Sequence, residues 1–354
     1  MSAVIHLPAY DNNPYNRLLA EGLSLASVET DLWFNAPVVR NQRSLLPRLR
    51  QADLVHWHWL QHFYQARTPL RSLGRSAIFA SVMAELRWRG IPQVVTVHNL
   101  IPHNCQHKAL NERMCRVVGS LSDRIIVHNE DSIASVVALY GNRKKIRVVP
   151  HVDYPVTELS TSRKQLRNRW GLERFDRYAI LFGLMRRYKR VECAVDAAKE
   201  LASQGIGLII AGPVFDPAYA EELHLRDSDK LVVFRLQYQS DEALAELLCL
   251  SDAALLLHGD ALTSGVAHLA LAYGLPLVTT DALAFRALVR RRLAFSCDPL
   301  DRVDLVESVL KAVASRGPAW AERVAAYRAD ASVEAVGEQV AAIYREIGLE
   351  PGKR

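Results

Sequence analysis

The sequence has few cysteines and no long hydrophobic run. Its 354 residues include five cysteines, at positions 105, 115, 193, 249 and 297, and none belongs to a C-x-x-C pair. An odd number of scattered cysteines argues against a disulfide framework and against a structural zinc site. The longest apolar runs, such as residues 253–257, are far shorter than the roughly 18 to 20 residues that cross a bilayer. The sequence therefore excludes a disulfide-rich class and predicts no transmembrane helix.

A secretion signal is also missing, because the first ten residues contain no basic region followed by an apolar stretch. We therefore expect a cytoplasmic protein. Aromatic residues make up only 8% of the chain, whereas 50% of the residues are hydrophobic and 23% are charged. This composition excludes disordered, collagen-like and coiled-coil classes and is typical of a globular α/β protein. At about 150 residues per domain, the length predicts two domains.

Positive charge is concentrated in the first part of the chain. Residues 1–150 contain 18 Lys and Arg against 10 Asp and Glu, whereas the remainder contains 26 against 28. A basic surface indicates an anionic partner, either nucleic acid, a lipid surface or a diphosphate-bearing substrate, unless it is only a solvated Arg-rich face. Zinc-finger, RNP and helix-turn-helix signatures are missing, so we expect no nucleic-acid partner.

Short β-branched segments alternate with longer helical patterns along the chain, which predicts doubly wound parallel sheets flanked by helices. The predicted strands are VIHL, DLWF, LVHWHW, QVVTVH, RIIVH, IRVVP, YAILFG, GLIIAG, LVVFRL, AALLLH and PLVTT. The apolar periodicity lapses after Pro150, which predicts a linker at residues 152–165. The expected domains are an N-terminal Rossmann-like domain at 1–155 and a second one at 160–330. A final helical stretch runs from Pro318 to Ile347, and its part at 332–350 is expected to pack back on the first domain.

Residues 182–192, FGLMRRYKRVE, contain a glycine at the end of a buried strand and two cations ahead of a helix that begins near Val191. Gly183 permits the turn, and Arg186 and Lys189 follow it. A guanidinium, an ammonium and a helix N-terminus close together favour a phosphate site, although surface charge at a helix start gives the same pattern.

Residues 258–280 are interpreted as a strand end, a loop, a helix and a further strand. Ser264 and Gly265 begin the helix, Gly274 ends it, and Pro276 leads into the strand. The hydroxyl and free N–H groups at the helix start can bind a second face of the same phosphates, or Ser264 can be an ordinary helix cap.

These two segments resemble the nucleotide-sugar-binding domain of GT-B glycosyltransferases of the family 4 type. A closer resemblance is to bacterial exopolysaccharide β-1,4-mannosyltransferases, which use GDP-mannose and a polyprenyl-diphosphate-linked oligosaccharide. The motifs that carry it are Asn13–Pro14–Tyr15, His56–Trp57–His58–Trp59, Thr96 to His103, Phe182 to Glu192 and Ser264–Gly265.

The resemblance implies a GT-B fold, with two Rossmann-like domains facing a cleft, and a metal-independent hexosyltransferase. The substrates it implies are a nucleotide sugar, most simply GDP-mannose, and a lipid-linked saccharide, with no separate cofactor. The implied donor contacts are Gly183, Arg186, Lys189, Gly212, Pro213, Leu236, Gln237, Tyr238, Ser264, Gly265 and His268. The implied acceptor side consists of Asn13, Tyr15, His58, His98, Asn99 and His103.

The chain departs from the family 4 pattern in two places. Ala261 and Leu269 stand where these enzymes usually carry two acidic residues, and Arg190 replaces the glycine that usually follows the lysine. The missing acidic pair supports an alternative interpretation, a catalytically idle GT-B subunit that binds a nucleotide sugar or a partner enzyme. A sugar-nucleotide epimerase or a phosphorylase of related fold is a third interpretation.

Nine of the twelve histidines precede Val152, and those at positions 6, 58, 98, 128 and 151 are expected at strand ends. An imidazole there can accept the proton of an attacking sugar hydroxyl. We expect His98 to be this base because it lies within a motif that carries the resemblance; the carboxylates of Asp11, Glu130 and Asp131 are the alternatives.

Metal binding is not expected. His56, His58 and His62 lack a Cys or carboxylate nearby in sequence to complete a tetrahedral site. Asp227–Ser228–Asp229 precedes a predicted strand and so lies at the wrong end of the sheet for a substrate-bound metal.

Residues 69–89 predict a helix with an apolar middle and Arg at both ends. Such a helix can lie at an anionic membrane surface, which would make the protein peripheral to the inner face of the plasma membrane. The alternative is a core helix that covers the first sheet, as a doubly wound fold requires.

Overall fold

The structure, a computed structural model, describes residues 4–11, 13–34, 42–100, 107–259 and 261–349. The chain divides into two compact units. Unit 1 comprises residues 1–152 and 329–354, and unit 2 comprises residues 153–328.

Unit 1 is built on a six-stranded parallel sheet with the strand order β2-β1-β3-β4-β5-β6. The strands are β1 (Val4–Ala9), β2 (Thr30–Phe34), β3 (Leu54–Trp57), β4 (Gln93–Thr96), β5 (Arg124–Val127) and β6 (Ile146–Val148). The central strands β1, β3 and β4 are buried along their whole length, as expected for parallel strands covered on both faces.

The helices of unit 1 before residue 152 are α1 (Tyr15–Leu25), α2 (Leu46–Leu49), α3 (Gln61–Tyr64), α4 (Pro69–Trp88), α5 (Lys108–Leu121) and α6 (Ile133–Tyr140). Helix α4 matches the predicted helix at 69–89. It buries Phe79 and Met83 in the core, whereas Leu70 at its start and Trp88 at its end are about four-fifths exposed. The middle of α4 therefore covers the sheet. Within the described ranges, no helix combines the length and hydropathy of a membrane span.

Unit 2 contains a second six-stranded parallel sheet with the order β12-β11-β10-β7-β8-β9. Its strands are β7 (Arg177–Phe182), β8 (Ile206–Ala211), β9 (Val232–Arg235), β10 (Ala253–Leu256), β11 (Leu277–Thr279) and β12 (Ala294–Ser296). The sequence pattern did not predict β12, because this three-residue edge strand buries only Ala294 fully.

The helices of unit 2 are α7 (Arg163–Trp170), α8 (Val191–Asp196), α9 (Ala198–Ser203), α10 (Pro217–Arg226), α11 (Asp241–Leu250), α12 (Gly265–Ala272), α13 (Leu283–Arg290), α14 (Arg302–Ala314) and α15 (Pro318–Asp330). The last helix, α16 (Val333–Arg345), belongs to unit 1. The helical stretch predicted from Pro318 to Ile347 is thus interrupted. The Ser332 hydroxyl accepts a hydrogen bond from the Ala335 N–H and begins α16.

Helix α16 packs on α1 at a contact between two glycines. A Cβ at Gly22 would lie 2.1 Å from the Val333 carbonyl oxygen, and one at Gly337 would lie 2.2 Å from the Gly22 oxygen. The two backbones can approach this closely only because neither residue has a side chain. Just beyond the helix, the Glu346 carboxylate pairs with Arg124 and Arg147 at the start of β5 and in β6. These contacts fix the C-terminal segment on unit 1.

Candidate active site

In unit 2, two glycines follow adjacent strands and touch each other. Gly183 follows β7 with φ +92°, and Gly212 follows β8 with φ +138°. A Cβ on Gly212 would lie 2.0 Å from the Gly183 carbonyl oxygen, so this site requires glycine. The loops are joined further by a hydrogen bond from the Met185 N–H to the Pro213 carbonyl. The carboxyl end of the sheet is therefore a closely packed, fixed surface.

The turn after Gly183 carries the predicted cations. Arg186 precedes a 3₁₀ turn, Arg187–Lys189, and Arg190 ends it with φ +53° before α8 begins. Glycine adopts this left-handed conformation more readily than arginine does. The Arg190 guanidinium lies 3.9 Å from the position of a Cβ on Gly259, which places it beside the loop after β10.

Lys189 folds back from this turn into the sheet. Its Nζ atom lies 3.2 Å from the position of a Cβ on Gly183, and the side chain lines a small pocket with Val266 and His258. Burial, and then the neighbouring Arg186 guanidinium, lower the pKa of Lys189 to about 8. An anion bound beside these two cations would compensate their charge and so favour the protonated ammonium of Lys189.

The cations of this turn differ in whether they form an ion pair with a carboxylate. Arg187 pairs with Glu222 at 2.8 Å, lies near Asp216 and stacks over the Tyr219 ring. In contrast, Arg186, Lys189 and Arg190 form no ion pair with a carboxylate in the described part of the chain. These three cations are the ones available to an anionic ligand.

The start of α12 lies at the same end of the sheet. Ser264 caps the helix by accepting a hydrogen bond from the Ala267 N–H, and it is buried. A Cβ on Gly265 would lie 2.8 Å from the Tyr154 hydroxyl, so this hydroxyl sits over the helix N-terminus. Tyr154 is not among the residues predicted from the sequence, because a tyrosine in an irregular segment carries no recognisable pattern. The free N–H groups of a helix start add to the positive potential here.

The remaining predicted donor residues differ in their surroundings. Leu236, Gln237 and Tyr238 follow β9, and the Tyr238 ring is 77% exposed. His268, in contrast, is buried on α12, where its Nδ1 lies 2.6 Å from the Tyr327 hydroxyl and its ring stacks on Tyr327. The structure gives His268 a packing role within unit 2, and its contact with a donor stays a prediction.

The positions of the missing acidic pair are apolar in the structure. Leu269 packs against the core of unit 2, and the Ala261 carbonyl accepts a hydrogen bond from the Ala284 N–H. The Asp227 carboxylate accepts hydrogen bonds from the backbone N–H groups of Leu231 and Val232 at the start of β9, at the opposite end of the sheet from Lys189.

In unit 1, histidines collect at the carboxyl ends of the strands. His58 follows β3, His98 follows β4, His128 follows β5, and His151 comes shortly after β6. The strand-end prediction is wrong for His6, which lies inside β1 and is fully buried.

The His98 ring is held on two faces and at one nitrogen. Trp59 stacks on it with 4.4 Å between ring centroids, and Tyr15 contacts it edge-on at 4.8 Å. Its Nε2 atom lies 3.2 Å from His58 Nδ1. Burial, and then the nearby imidazoles of His128 and His58, lower the pKa of His98 well below 6.5. His98 is therefore neutral at pH 7, the form that can accept a proton.

His98 also lines a pocket whose other walls are Trp59, Leu60, Gln61, Tyr64, Thr96, Val97, Asn99, Leu100 and Tyr140. Asn99 thus lies in the predicted region.

The Asn13 side chain instead accepts a hydrogen bond from the Tyr15 N–H and so shapes the start of α1. His103 lies outside the described residues. Of the alternative bases, Asp11 forms an exposed ion pair with Arg17.

One group of histidines has the spacing of a metal site. The ring nitrogens of His6, His56 and His58 that face each other lie within 4.8 Å of one another. This group includes two of the three histidines considered from the sequence. His62 lies elsewhere, against Tyr10. All six nitrogens of the group are within hydrogen-bond distance of another side chain, so a metal would have to displace those contacts.

Solved structures of glycosyltransferases match the fold of this chain over nearly its whole length. A glycosyltransferase from Rickettsia africae has a TM-score of 0.70 at 14% identity, with 98% of each chain covered. Anabaena HepE, solved with UDP and glucose, has a TM-score of 0.64 at 14% identity, again over 98% of each chain. The chain has the GT-B fold. The fold predicted from the sequence is thus confirmed.

The sequence comparisons agree with the fold. Residues 176–315, most of unit 2, match the family described as group 1 glycosyl transferases. A curated relative from Xanthomonas campestris, GDP-mannose:glycolipid 4-β-D-mannosyltransferase, is 24% identical over 236 residues, or 65% of this chain. The match spans 62% of the length of that relative. Most of unit 2 is therefore similar to group 1 glycosyl transferases, and the resemblance found in the sequence is confirmed.

Proposed function

We propose that this GT-B protein is a glycosyltransferase that moves mannose from GDP-mannose to a hydroxyl of a lipid-linked saccharide. The observation that carries the proposal is the set of cations after β7: Arg186, Lys189 and Arg190 have no carboxylate partner among the described residues, and Lys189 is buried. A nucleotide diphosphate supplies the two negative charges that such a group of cations favours. The name of the Xanthomonas relative supports GDP-mannose as the donor.

In this proposal, unit 2 binds the donor. Arg186, Lys189 and the N-terminus of α12 bind the diphosphate, and the close packing of Gly183 and Gly212 fixes the backbone beside it. As the bond from the sugar to the diphosphate breaks, negative charge accumulates on the leaving oxygen, and the cations stabilise it without a metal ion. Leu236, Gln237 and Tyr238 contact the nucleoside, and the exposed Tyr238 ring offers a stacking surface to a base.

Unit 1 binds the acceptor and supplies the base. Neutral His98 accepts the hydroxyl proton while the hydroxyl oxygen attacks the anomeric carbon, so the reaction inverts the configuration there. The aromatic rings of Trp59 and Tyr15 hold the imidazole in place, and Asn99 beside it can bind an acceptor hydroxyl.

The basic charge of unit 1 suits a lipid-linked acceptor. Leu70 and Leu73 are exposed at the start of α4, next to the exposed cations Arg67 and Arg71. Exposed apolar side chains beside basic ones favour contact with an anionic bilayer surface. We therefore place the protein, in this proposal, peripherally on such a membrane.

A transfer assay with point variants tests the proposal. We expect Arg186→Ala and Lys189→Ala each to lower kcat/KM for GDP-mannose at least tenfold, because a charge-assisted contact contributes about 1.5–3 kcal/mol. Arg187→Ala is the matched control, since it removes an adjacent arginine that is already paired with Glu222. His98→Ala should lower kcat about 100-fold with little change in donor binding. Full activity of the Arg186 and Lys189 variants would refute the donor site.

A second candidate function is a catalytically idle subunit that binds a nucleotide sugar. The apolar environment of Leu269 favours it, because this position offers no carboxylate to a ribose or sugar. The same assay separates the two functions. Wild-type protein that binds a nucleotide but releases no GDP from GDP-mannose with any saccharide acceptor would support the idle subunit.

A further inference from the structure

A continuous row of hydrogen-bonding side chains runs through the core of unit 1 from His98 to Thr96. We call it the histidine row: His98, His58, His6, Tyr344, His56 and Thr96. Its successive atom pairs are His98 Nε2 to His58 Nδ1 (3.2 Å), His58 Nε2 to His6 Nδ1 (3.2 Å), His6 Nε2 to the Tyr344 hydroxyl (3.3 Å), that hydroxyl to His56 Nδ1 (2.6 Å) and His56 Nε2 to Thr96 Oγ1 (2.8 Å).

The row is buried, so its imidazoles are neutral at pH 7. His6, His56 and His58 are inaccessible to solvent, and burial lowers the pKa of each. A neutral imidazole has one N–H donor and one acceptor nitrogen. Each interior histidine of the row uses both nitrogens, and the Tyr344 hydroxyl can donate one hydrogen and accept another. All donors must therefore point the same way along the row.

This constraint leaves two states for the whole row. In one, every hydrogen points toward Thr96, and the His98 hydrogen is on Nε2. In the other, every hydrogen points toward His98, and its hydrogen is on Nδ1. The tautomer of His98 is thus set by contacts that lie as far away as helix α16, which carries Tyr344.

The proposed function requires one of these states. A base must offer a lone pair to the acceptor hydroxyl, and His58 occupies the Nε2 side of His98. Only Nδ1 lies outside the row. We propose that the histidine row holds His98 in the tautomer with hydrogen on Nε2, so that the Nδ1 lone pair is presented to the acceptor.

This proposal rests on the proposed function, in which His98 is the base. During transfer the hydroxyl proton passes to Nδ1, the hydroxyl oxygen forms a bond to the anomeric carbon, and the bond from that carbon to the diphosphate oxygen breaks. The Nε2–H of the resulting imidazolium donates to His58 Nδ1, which stabilises the positive charge. His58, His6, Tyr344, His56 and Thr96 are positioning residues in this scheme.

Tyr344→Phe tests the row because it removes one oxygen from its middle and keeps the buried ring. We expect kcat to fall about tenfold, as for other residues that orient a reacting side chain, and KM for GDP-mannose to stay unchanged. Imidazole ¹⁵N chemical shifts should show His98 with hydrogen on Nε2 in the wild type and a mixture of tautomers in the variant. Tyr178→Phe is the control, because it removes a buried tyrosine hydroxyl at the start of β7 in unit 2.

A second pair of variants tests the far end of the row. Thr96→Val removes the hydroxyl next to His56 with little change in volume, whereas Thr96→Ser retains it. The valine variant should lose activity and tautomer purity, and the serine variant should keep both. If Tyr344→Phe does not fold, this pair decides alone.

Several results would overturn the proposal. A wild-type His98 with hydrogen on Nδ1 contradicts it directly. The proposal is also contradicted if Tyr344→Phe and Thr96→Val both keep the wild-type kcat although His98→Ala is inactive. Stoichiometric zinc in the purified protein, with activity lost on chelation, would make His6, His56 and His58 a metal site instead. A fully active His98→Ala refutes the base assigned in the proposed function, whatever tautomer the row shows.

Discussion

The buried histidines predict that unit 1 loses stability in mild acid. Burial lowers the pKa of His6 from 6.5 to about 3. Below pH 6.5 the unfolded chain binds a proton at this residue, whereas the folded chain does not until about pH 3. Stability present above pH 6.5 is therefore lost as the pH falls from 6.5 toward 3.

The magnitude follows from the difference in proton binding. At pH 5 the unfolded state gains about 2 kcal/mol from protonation of His6 alone, and the slope there is about 1.3 kcal/mol per pH unit. Burial shifts the pKa of His56, His58 and His98 in the same direction, so their losses add to this one. Because a domain is stable by only about 5–15 kcal/mol, the loss from His6 alone is a substantial part of the total.

Urea titrations followed by tryptophan fluorescence at pH 8, 6 and 5 measure this effect. His6→Asn provides the internal comparison. The difference in the free energy of unfolding between variant and wild type at pH 8 measures the packing that the substitution removes. The change in that difference between pH 8 and pH 5 measures the contribution of proton binding at His6. We expect the variant to lose about 2 kcal/mol less than wild type between pH 8 and pH 5. Equal losses in both proteins would refute the claim that His6 is neutral in the folded state.

Two further predictions concern unit 2. Gly212→Ala should destabilise the protein by about 2 kcal/mol or more in thermal or urea unfolding, because its Cβ would lie 2.0 Å from the Gly183 oxygen. Gly74→Ala is the control in the same measurement. It lies at an open position in α4 and should be neutral or stabilising. Donor affinity should weaken as the pH rises above about 8, where Lys189 loses its proton, by up to tenfold per pH unit. Lys189→Arg stays charged and should remove this dependence from calorimetric titrations with GDP, and an unchanged dependence would show that another group titrates.

Chelation tests the metal-independent part of the proposal. Treatment with EDTA should leave the rate of mannose transfer unchanged, since the cations after β7 are proposed to stabilise the leaving diphosphate. A strict requirement for added Mg²⁺ or Mn²⁺ would contradict this mechanism.

Features formed by residues close together in the chain could be predicted from the sequence. The strand pattern placed His58, His98 and His128 after buried strands, and the structure has them there. The turn that contains Gly183, Arg186 and Lys189 could also be predicted from the sequence. Its glycine at a positive φ and its cations before a helix lie close together in the chain.

Contacts between distant segments could not be predicted. Tyr344 lies 288 residues from His56 and yet shares a hydrogen bond with it, and no periodicity connects them. Likewise, the stacking of Trp59 on His98 could not be predicted from the sequence. It depends on the unusual backbone of Trp59, which has φ +37°. The burial of His6 and the engagement of His268 by Tyr327 depend on helix and sheet packing that exists only in the folded chain.

The most direct test of the account is calorimetric titration of GDP into the wild type, Lys189→Ala and Arg187→Ala. We expect GDP to bind the wild type and the Arg187 variant alike and to bind Lys189→Ala at least tenfold more weakly, because one charge-assisted phosphate contact is lost. UDP in place of GDP then reports which base the nucleoside contacts prefer. Equal GDP affinity in all three proteins, or no binding of either nucleotide to the wild type, would contradict the assignment of the cations after β7 to a nucleotide diphosphate.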